Sequence, residues 1–510
     1  MKKSIRNNLI IGILFTLATV ILLVRGLVVT SHSIGDEAHM VATAYRFFLG
    51  DAPLVDDWSP EQLNGLVILP FLSLYVWMKG STEGLFLFLR LVSLVLKAGI
   101  FWYGYIKLRD EDNFATILTA LFIWYIFMPF NFDSLTYQVA PLIFLMLALI
   151  VIRAPKSNCF EYALIGVGYA LSILSQPIWV ISYPIILIYV LVNRKKVSII
   201  KIIAFHAGIL VIFAYFLLLV FSGATLREVL NNLPYIFSEP DHDVASAGIM
   251  GVFYENVIKV IGTIVWEHKL VTILNLAYIL ALVVFNEQKD RLKVLMLPIV
   301  LLSLGLITLK FSAYTMNYAF IAFTWMAVEN LFFVNDKRYK YILILGGIYV
   351  ISIALGTNVS LFSTPNGMSL LAFTTLFYYT IDEVSNLAIK LRKLLLPMLV
   401  IYTLIVRVFI CYSDIMSPSQ YQYKISDGPM KGLYAKEENY NRYYEIYNDI
   451  KALNIKYGDI LFVGTEKPLA YLMAQTEFGT MGTPFFFLDG ERLATYYVMH
   501  PNKIPSVLYD

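Results

Sequence analysis

The chain has 510 residues, of which 59% are hydrophobic and only 15% are charged, and its mean hydropathy is +0.69. Because a soluble domain carries about a quarter charged residues, this composition excludes an ordinary water-soluble protein. A net charge of +3 does not indicate nucleic-acid binding, and no nucleic-acid partner is expected. The two cysteines, Cys159 and Cys411, are too few for a disulfide framework or a four-ligand zinc site.

Apolar runs of about 18 to 22 residues dominate the chain, and each could cross the hydrocarbon core of a bilayer as a helix. The first run follows Lys2, Lys3 and Arg6 and lacks an obvious small-x-small cleavage site, which predicts a retained signal-anchor helix. The predicted fold class is an all-α polytopic membrane protein. Its transmembrane helices, about thirteen in number, are predicted at residues 9–30, 84–106, 114–130, 137–153, 160–175, 178–193, 199–221, 270–286, 294–309, 318–334, 341–356, 368–382 and 394–412.

Basic clusters separate pairs of these predicted helices. They lie at residues 2–6, 107–109, 153–156, 194–196, 289–293, 337–340 and 390–393. Short loops rich in Lys and Arg stay on the cytoplasmic side of a membrane. The pattern predicts a cytoplasmic N-terminus and an extracytoplasmic C-terminus, in a plasma membrane or, as an alternative left open, a eukaryotic reticulum.

Three segments on the predicted outer side are too long to be simple connections, and long loops are usually functional. Two are the loops at 31–83 and 222–269 within a transmembrane domain at 1–412. The third is the tail at 413–510, predicted to form a small extracytoplasmic α/β domain. Within it we expect helices at 437–453 and 467–474, strands at 460–463 and 485–488, and the start of a strand at 506–510.

Two adjacent acids, Asp36 and Glu37, follow the first predicted helix near the outer membrane boundary. Acids are costly to desolvate there unless they are paired or bind a cation. A carboxylate at this depth can act as a general base toward a hydroxyl or as a ligand of a divalent metal ion. The structural alternative is an ordinary helix start, with Asp36 as the N-cap and Glu37 in the first turn.

The residues that follow carry a family resemblance. They include AYRFFLGD at 44–51, WSPEQLNG at 58–65, an apolar segment containing a proline that ends near Met78, and a long helix that ends at Lys107 and Arg109. This order resembles the C-type (GT-C) membrane glycosyltransferases, in the branch of the protein O-mannosyltransferases and the lipid A aminoarabinose transferase. The specific residues of the resemblance lie within 33–109.

The resemblance implies transfer of a sugar from a polyprenyl-phosphate carrier on the outer face of the membrane. It implies that Asp36 is the catalytic or metal-linked acid, that Glu37 accompanies it, and that Asp133 is a second acid; an Asx turn is the structural alternative for Asp133. Aminoarabinose-transferase-like members carry a Glu-Lys-Pro-Pro element that is missing at 66–70. Glu61 is the candidate substitute, and metal dependence is correspondingly open.

Other charged residues are candidates for binding the donor phosphate or a metal ion. Arg90, inside a predicted helix, and Lys310, near the outer face, are candidate phosphate ligands, although Lys310 is also typical of a snorkelling anchor. Lys431, in the sequence GPMKGLY, is a candidate for closing over the substrate. The second outer loop contains Asp241, His242 and Asp243, which form either a divalent-cation site with Asp36 or a solvated loop.

These features predict a glycosyltransferase whose partners are a polyprenyl-phosphate-linked sugar donor, membrane lipids and a glycan, lipid or protein acceptor. No nucleotide site is needed, because the leaving group is already a phosphate, and the short cytoplasmic loops contain no glycine-rich phosphate loop. Two alternatives stay open. One is a polysaccharide polymerase or ligase, and the other is a flippase or transporter of lipid-linked sugars, which is expected to contain broken helices.

Overall fold

The computed structural model describes most of the chain. The described residues are 2–29, 33–127, 134–154, 156–192, 198–237, 254, 258, 261–310, 315–334, 336–355, 365–379, 386–411, 414–415, 418–456, 458–464, 467–483 and 490–509. The predicted residues Asp133, Asp241, His242 and Asp243 lie outside this part of the chain, as does the strand predicted at 485–488.

Helices make up most of the described structure. They are α1 (Lys2–Gly26), α2 (Ser33–Phe48), α3 (Leu63–Lys79), α4 (Leu85–Leu108), α5 (Phe114–Ile126), α6 (Val139–Arg153), α7 (Cys159–Ser175), α8 (Tyr183–Val192), α9 (Ile199–Gly223), α10 (Leu226–Phe237), α11 (Lys269–Val284), α12 (Lys289–Leu292), α13 (Met296–Thr308), α14 (Thr315–Asn330), α15 (Lys337–Leu355), α16 (Pro365–Tyr378), α17 (Asn386–Phe409), α18 (Glu437–Ala452), α19 (Leu469–Ala474) and α20 (Gly490–Met499). A 3-10 helix at Pro177–Ser182 precedes α8.

Each of the thirteen predicted apolar segments contains a helix. Four helical stretches among the described residues are long and apolar enough to cross a membrane by length and composition: Asn8–Gly26, Leu85–Leu108, Ile199–Gly223 and Asn286–Thr308. Several others are apolar but shorter, between 10 and 17 residues. A helix needs about 20 residues to span the hydrocarbon core when it lies along the bilayer normal. The structure therefore supports a helical membrane protein, and the crossing of all thirteen segments stays a prediction.

Close helix contacts in this bundle depend on small residues. A Cβ atom added to Gly166 on α7 would overlap the backbone carbonyl of Phe205 on α9. One added to Gly208 on α9 would overlap the carbonyl of Ala163 on α7. Glycines that let two backbones approach in this way are typical of helix packing in membranes, where lipid provides no hydrophobic force between helices.

The two predicted outer loops contain helices of their own. The first loop forms α2 and α3, and the second contains α10. Since α2 begins at Ser33, Asp36 lies in its first turn and is not the N-cap. Gly65, near the start of α3, faces Thr43 and the backbone nitrogen of Ala44, which an added Cβ atom would approach to 3.0 and 3.2 Å. The lack of a side chain at Gly65 therefore lets α3 pack closely on α2.

The described strands are short, and most of them lie in the tail together with helices. The strands are β1 (Val28–Val29), β2 (Ile410–Cys411), β3 (Asp414–Ile415), β4 (Tyr423–Lys424), β5 (Tyr434–Ala435), β6 (Ile460–Val463), β7 (Glu477–Phe478) and β8 (Val507–Tyr509). The two outside the tail are β1, which follows α1, and β2, which follows α17. The central strand β6 pairs in parallel with β7 and β8. The predicted helices at 437–453 and 467–474 and the predicted strand at 460–463 are confirmed as α18, α19 and β6. Strand β5 of the tail pairs with β1, which directly follows α1. The tail is therefore joined through a sheet to the segment at the end of the first helix.

Candidate functional site

A buried ion pair joins α2, in the predicted first outer loop, to α4. Glu37, in the second turn of α2, is fully buried, and Arg90, in the second turn of α4, is 5% exposed. The Nε atom of Arg90 donates to Oε1 of Glu37 at 2.9 Å, and Nη2 donates to Oε2 at 2.5 Å. This two-point geometry is the strong form of a charge-assisted hydrogen bond. It fixes the start of α2 against α4.

The remaining guanidinium nitrogen of Arg90 contacts the end of α1. Its Nη1 atom donates to the carbonyl oxygens of Gly26 and Val28, each at 2.8 Å. Carbonyls at the C-terminal end of a helix have no partner within the helix, so Arg90 satisfies that of Gly26, and it also binds the carbonyl of Val28 in β1. A donor phosphate would have to compete with Glu37 for this side chain, and the phosphate-binding role of Arg90 stays a prediction.

The two adjacent acids occupy different environments. Consecutive residues on a helix do not share a face, and here Glu37 is directed to Arg90 while Asp36 remains partly exposed. Asp36 also lies in the first turn of α2, where the helix dipole favours a negative charge. Of the pair, Asp36 is therefore the acid with the more accessible side chain.

A polar stripe runs along α2 from Asp36 through His39 and Thr43 to Arg46, at helical spacing. The tail covers its middle: Nδ1 of His39 contacts Oγ1 of Thr483, which lies 2.9 Å from Oγ1 of Thr43. Burial lowers the pKa of His39 to about 3. The imidazole is thus neutral at physiological pH and serves as a hydrogen-bonding contact between α2 and the tail.

Arg46, at the end of the stripe, is the centre of a buried charge network. Its Nε donates to Asp51 at 2.5 Å, and its Nη1 lies 3.7 Å from Asp57. Burial raises the pKa of Asp57, although Arg46 and two hydrogen bonds from Ser59 oppose the change. The other oxygen of Asp51 accepts a hydrogen bond from Lys503 in the tail. The first loop and the last residues of the chain are thus joined by alternating charges.

Trp58 fills the space where the first loop, α10 and the tail meet. Its indole nitrogen donates to Asn232 of α10 at 2.7 Å, and its ring stacks on Tyr235 at 4.4 Å between centroids. The guanidinium of Arg492 in α20 lies 5.8 Å from the Trp58 ring, within the range of a cation–π contact. Because Trp58 is 1% exposed, it fixes both outer loops and the tail as one packed unit.

The GPMKGLY segment holds the start of α4. The carbonyl of Gly428 accepts a hydrogen bond from the amide of Gly84 at 3.0 Å, and that of Pro429 accepts one from Phe86 at 3.2 Å. These bonds satisfy amides at the helix start that have no partner within α4. Lys431 forms an ion pair with Glu83 at 3.0 Å, and both side chains are about half exposed. The segment therefore orients the tail, and a substrate contact by Lys431 stays a prediction.

The other predicted site residues that the structure describes lie apart from the Glu37–Arg90 ion pair. The ammonium group of Lys310 is exposed and donates to the carbonyl of Glu267 at 2.9 Å. Glu61 is partly exposed in the turn before α3. Within the part of the chain that the structure describes, no three His, Cys, Asp or Glu side chains form a group that could hold a metal ion.

The sequence analysis assigned no role to Arg46, Asp51, Asp57 or Lys503, although Arg46 and Asp51 lie within the quoted segment 44–51 and Asp57 directly precedes the segment 58–65. The available signal was the density of acids at 51–57 after a single arginine. That signal does not identify Lys503 as the second cation, because this residue is more than 400 positions away in sequence.

No family model, no curated protein and no solved structure matches this chain at a significant level. The class of protein therefore has to be argued from the site itself and from the sequence resemblance.

Proposed function

We propose that this protein is a C-type integral membrane glycosyltransferase. It transfers a sugar from a polyprenyl-phosphate-linked donor to a cell-envelope glycan, lipid or protein acceptor at the outer face of the plasma membrane. In this proposal all thirteen apolar helices span the bilayer, the N-terminus is cytoplasmic and the tail is extracytoplasmic. The alternation of basic clusters with apolar runs supports that orientation.

The observation that carries the proposal is the difference in environment between the adjacent acids Asp36 and Glu37. Glu37 is buried and bonded at both oxygens by Arg90, so it positions the helix start. Asp36 is the preceding residue. It is partly exposed and lies in the first turn of a helix that is buried along most of its length. A carboxylate held rigidly at a water boundary has the geometry that a general base requires.

In the proposed reaction, Asp36 accepts the proton of the acceptor hydroxyl. The resulting oxygen attacks the anomeric carbon of the donor sugar, forming the new glycosidic bond. The bond between that carbon and the phosphate oxygen breaks, and its electron pair leaves with the polyprenyl phosphate. Basic side chains at the outer face stabilise the charge on the leaving phosphate, with Arg90, Lys310 and Lys431 as the candidates named from sequence.

The described residues do not provide a metal-ion site at Asp36. Glu37, the neighbouring carboxylate, is already bonded to Arg90, and no group of three candidate ligands occurs in the described ranges. Asp133, Asp241, His242 and Asp243 lie outside them. The proposed proton transfer is assigned to the Asp36 carboxylate itself, and metal dependence stays open.

Lipid extracts test the proposal. Cells that lack the protein should accumulate a polyprenyl-phosphate-linked sugar, and the purified protein should cleave that lipid while ignoring nucleotide sugars. If the protein were a polymerase or ligase, cells that lack it would instead accumulate a lipid-linked oligosaccharide. A flippase would move the lipid across the membrane of vesicles without breaking the sugar–phosphate bond. Turnover of a nucleotide sugar without any lipid carrier would contradict the proposal.

A further inference from the structure

A cavity lies between α6, α7, α8, α9 and α15, away from the Asp36 site. Its volume is about 140 Å³, and nearly all of its wall is apolar. The wall follows α6 from Phe144 to Ile152 and α15 from Arg338 to Leu345. At 1.5 Å per helical residue, these stretches are roughly 10 to 12 Å long. The cavity is therefore elongated along the helix axes.

The hydroxyl groups in the wall are bonded within the protein. Tyr169 donates to the carbonyl of Trp179 at 3.1 Å, and Ser182 donates to the same carbonyl at 2.6 Å. Ser172 donates to the carbonyl of Gly168 at 2.8 Å. Apolar cavities of comparable size, roughly 150 Å³, stay dry and accept apolar ligands. The wall therefore fits a section of a hydrocarbon chain.

One end of the cavity opens beside a surface rich in positive charge. Four carboxylates in the described residues of this surface are each paired with a cation: Asp110 with Arg109, Glu111 with Arg153, Glu161 with Lys107, and Asp336 with Arg338. A fifth carboxylate, Asp112, lies in the same turn as Asp110 and Glu111. Four further cations belong to the same surface: Lys156, Lys201, Lys337 and Lys340. Lys201 lies over the Tyr162 ring, with 5.3 Å between the ammonium nitrogen and the ring centroid.

We infer that this cavity binds one acyl chain of an anionic phospholipid. The chain enters between α6 and α15, and the headgroup rests on the basic surface around Arg338. Eight cations, with Arg109 included, against five carboxylates leave an excess of positive charge there, which attracts anionic lipid headgroups. In the topology proposed above, this surface faces the cytoplasm, so the lipid belongs to the cytoplasmic leaflet and is distinct from the sugar donor on the outer face.

Mass spectrometry of lipids retained by the full-length protein tests the inference. After exhaustive exchange into detergent, the wild type should retain a stoichiometric amount of anionic phospholipid. Ala148→Phe fills the cavity and should lower the retained amount about tenfold or more, a change equivalent to about 1.4 kcal/mol in binding. Ala207→Phe is the matched control, because Ala207 is exposed on α9 and does not line the cavity; it should retain the lipid.

Two further measurements use other parts of the site. Adding anionic phospholipid to delipidated wild type should raise its thermal unfolding temperature more than zwitterionic phospholipid does, without any substitution. Lys201→Gln combined with Lys340→Gln should reduce that difference. The inference is overturned if the wild type retains no anionic phospholipid, if a polyprenyl lipid is retained instead, if Ala148→Phe retains as much as the control, or if the two headgroups stabilise equally.

Discussion

Glu37 and Arg90 show how burial decides the role of a charged residue. A buried ion pair brings little net stability, but removing one partner leaves an uncompensated charge and costs about 3 to 5 kcal/mol. The pair is therefore better understood as a device that fixes α1, α2 and α4 relative to one another. Asp36, one residue earlier, remains partly exposed, and the proposed catalytic role falls on this residue.

The sequence draws attention to the Asp36–Glu37 pair, but it does not distinguish the environments of the two residues. The sequence shows two adjacent acids after an apolar run. Which of them is neutralised depends on Arg90, whose side chain reaches Glu37 across 53 positions. Such long-range pairing leaves no local pattern.

His39 should make stability depend on pH. Burial lowers the pKa of His39 from 6.5 to about 3 in the folded protein, so between these pH values the unfolded chain binds a proton that the folded chain does not. Stability should therefore fall as the pH falls from about 6.5 toward 3, by up to about 1.4 kcal/mol per pH unit.

Thermal unfolding in detergent across this pH range measures the effect. His39→Gln should show a shallower loss of unfolding temperature than wild type below pH 6.5. Above pH 7 the difference between the two proteins should be constant, which provides the internal control. Equal slopes in the acidic range would show that His39 is not held neutral.

Among the helices, α2 contacts both α4 and the tail. One face carries Glu37 toward α4, and the polar stripe carries His39, Thr43 and Arg46 toward the tail. A helix buried on nearly all sides, as α2 is from residue 37 to residue 47, cannot be recognised by amphipathic periodicity, which requires one solvent face.

The apolar helices could be predicted closely, for a physical reason. Helix α4, Leu85–Leu108, was predicted at 84–106, because a long apolar run between charged turns has one stable arrangement in lipid. By contrast, the pairing of β1 with β5 joins Val28 to Tyr434. Strands of two residues separated by about 400 positions carry no sequence signal that would identify their partners.

The contact between the first loop and the end of the chain should depend on Lys503. Lys503→Met leaves Asp51 and Arg46 without the second cation of the network. Because this breaks a buried ionic cluster, we expect a loss of about 3 to 5 kcal/mol, seen as a lower unfolding temperature and faster proteolysis of the tail.

Lys456→Met is the matched control for this prediction, since Lys456 is an exposed lysine of the same tail. It should leave the unfolding temperature within the small range that is typical of surface substitutions, about 0.5 kcal/mol. If Lys503→Met behaves like Lys456→Met, the contact between Asp51 and Lys503 does not hold the tail in place.

For the whole molecule, the proposed reaction requires that α2 and the tail lie on the extracytoplasmic side of the membrane. The basic clusters near Arg109, Lys196 and Lys340 predict a cytoplasmic location by the positive-inside rule. Reporter fusions after these three residues should report the cytoplasm, and a fusion after Asp414 should report the outside. A cytoplasmic tail would overturn both the topology and the proposed reaction at the outer face.

If Asp36 removes a proton from the acceptor, substituting its carboxylate by an amide should impair catalysis without impairing folding. Asp36→Asn keeps the size of the side chain and an oxygen that can accept hydrogen bonds at the start of α2, so folding should be preserved. Loss of a general base should lower the rate of sugar transfer from the lipid-linked donor about a hundredfold or more. Glu37→Gln is the comparison, since it should act mainly by lowering the unfolding temperature.

The decisive measurement is therefore the transfer rate of purified Asp36→Asn with a polyprenyl-phosphate sugar, together with its unfolding temperature. The transfer rate of Asp36→Asn should be reduced about a hundredfold or more, while its unfolding temperature stays close to that of wild type. A stable Asp36→Asn protein that transfers sugar at nearly the wild-type rate would contradict this role of Asp36, and the catalytic acid would then have to be sought at Asp133 or Glu61.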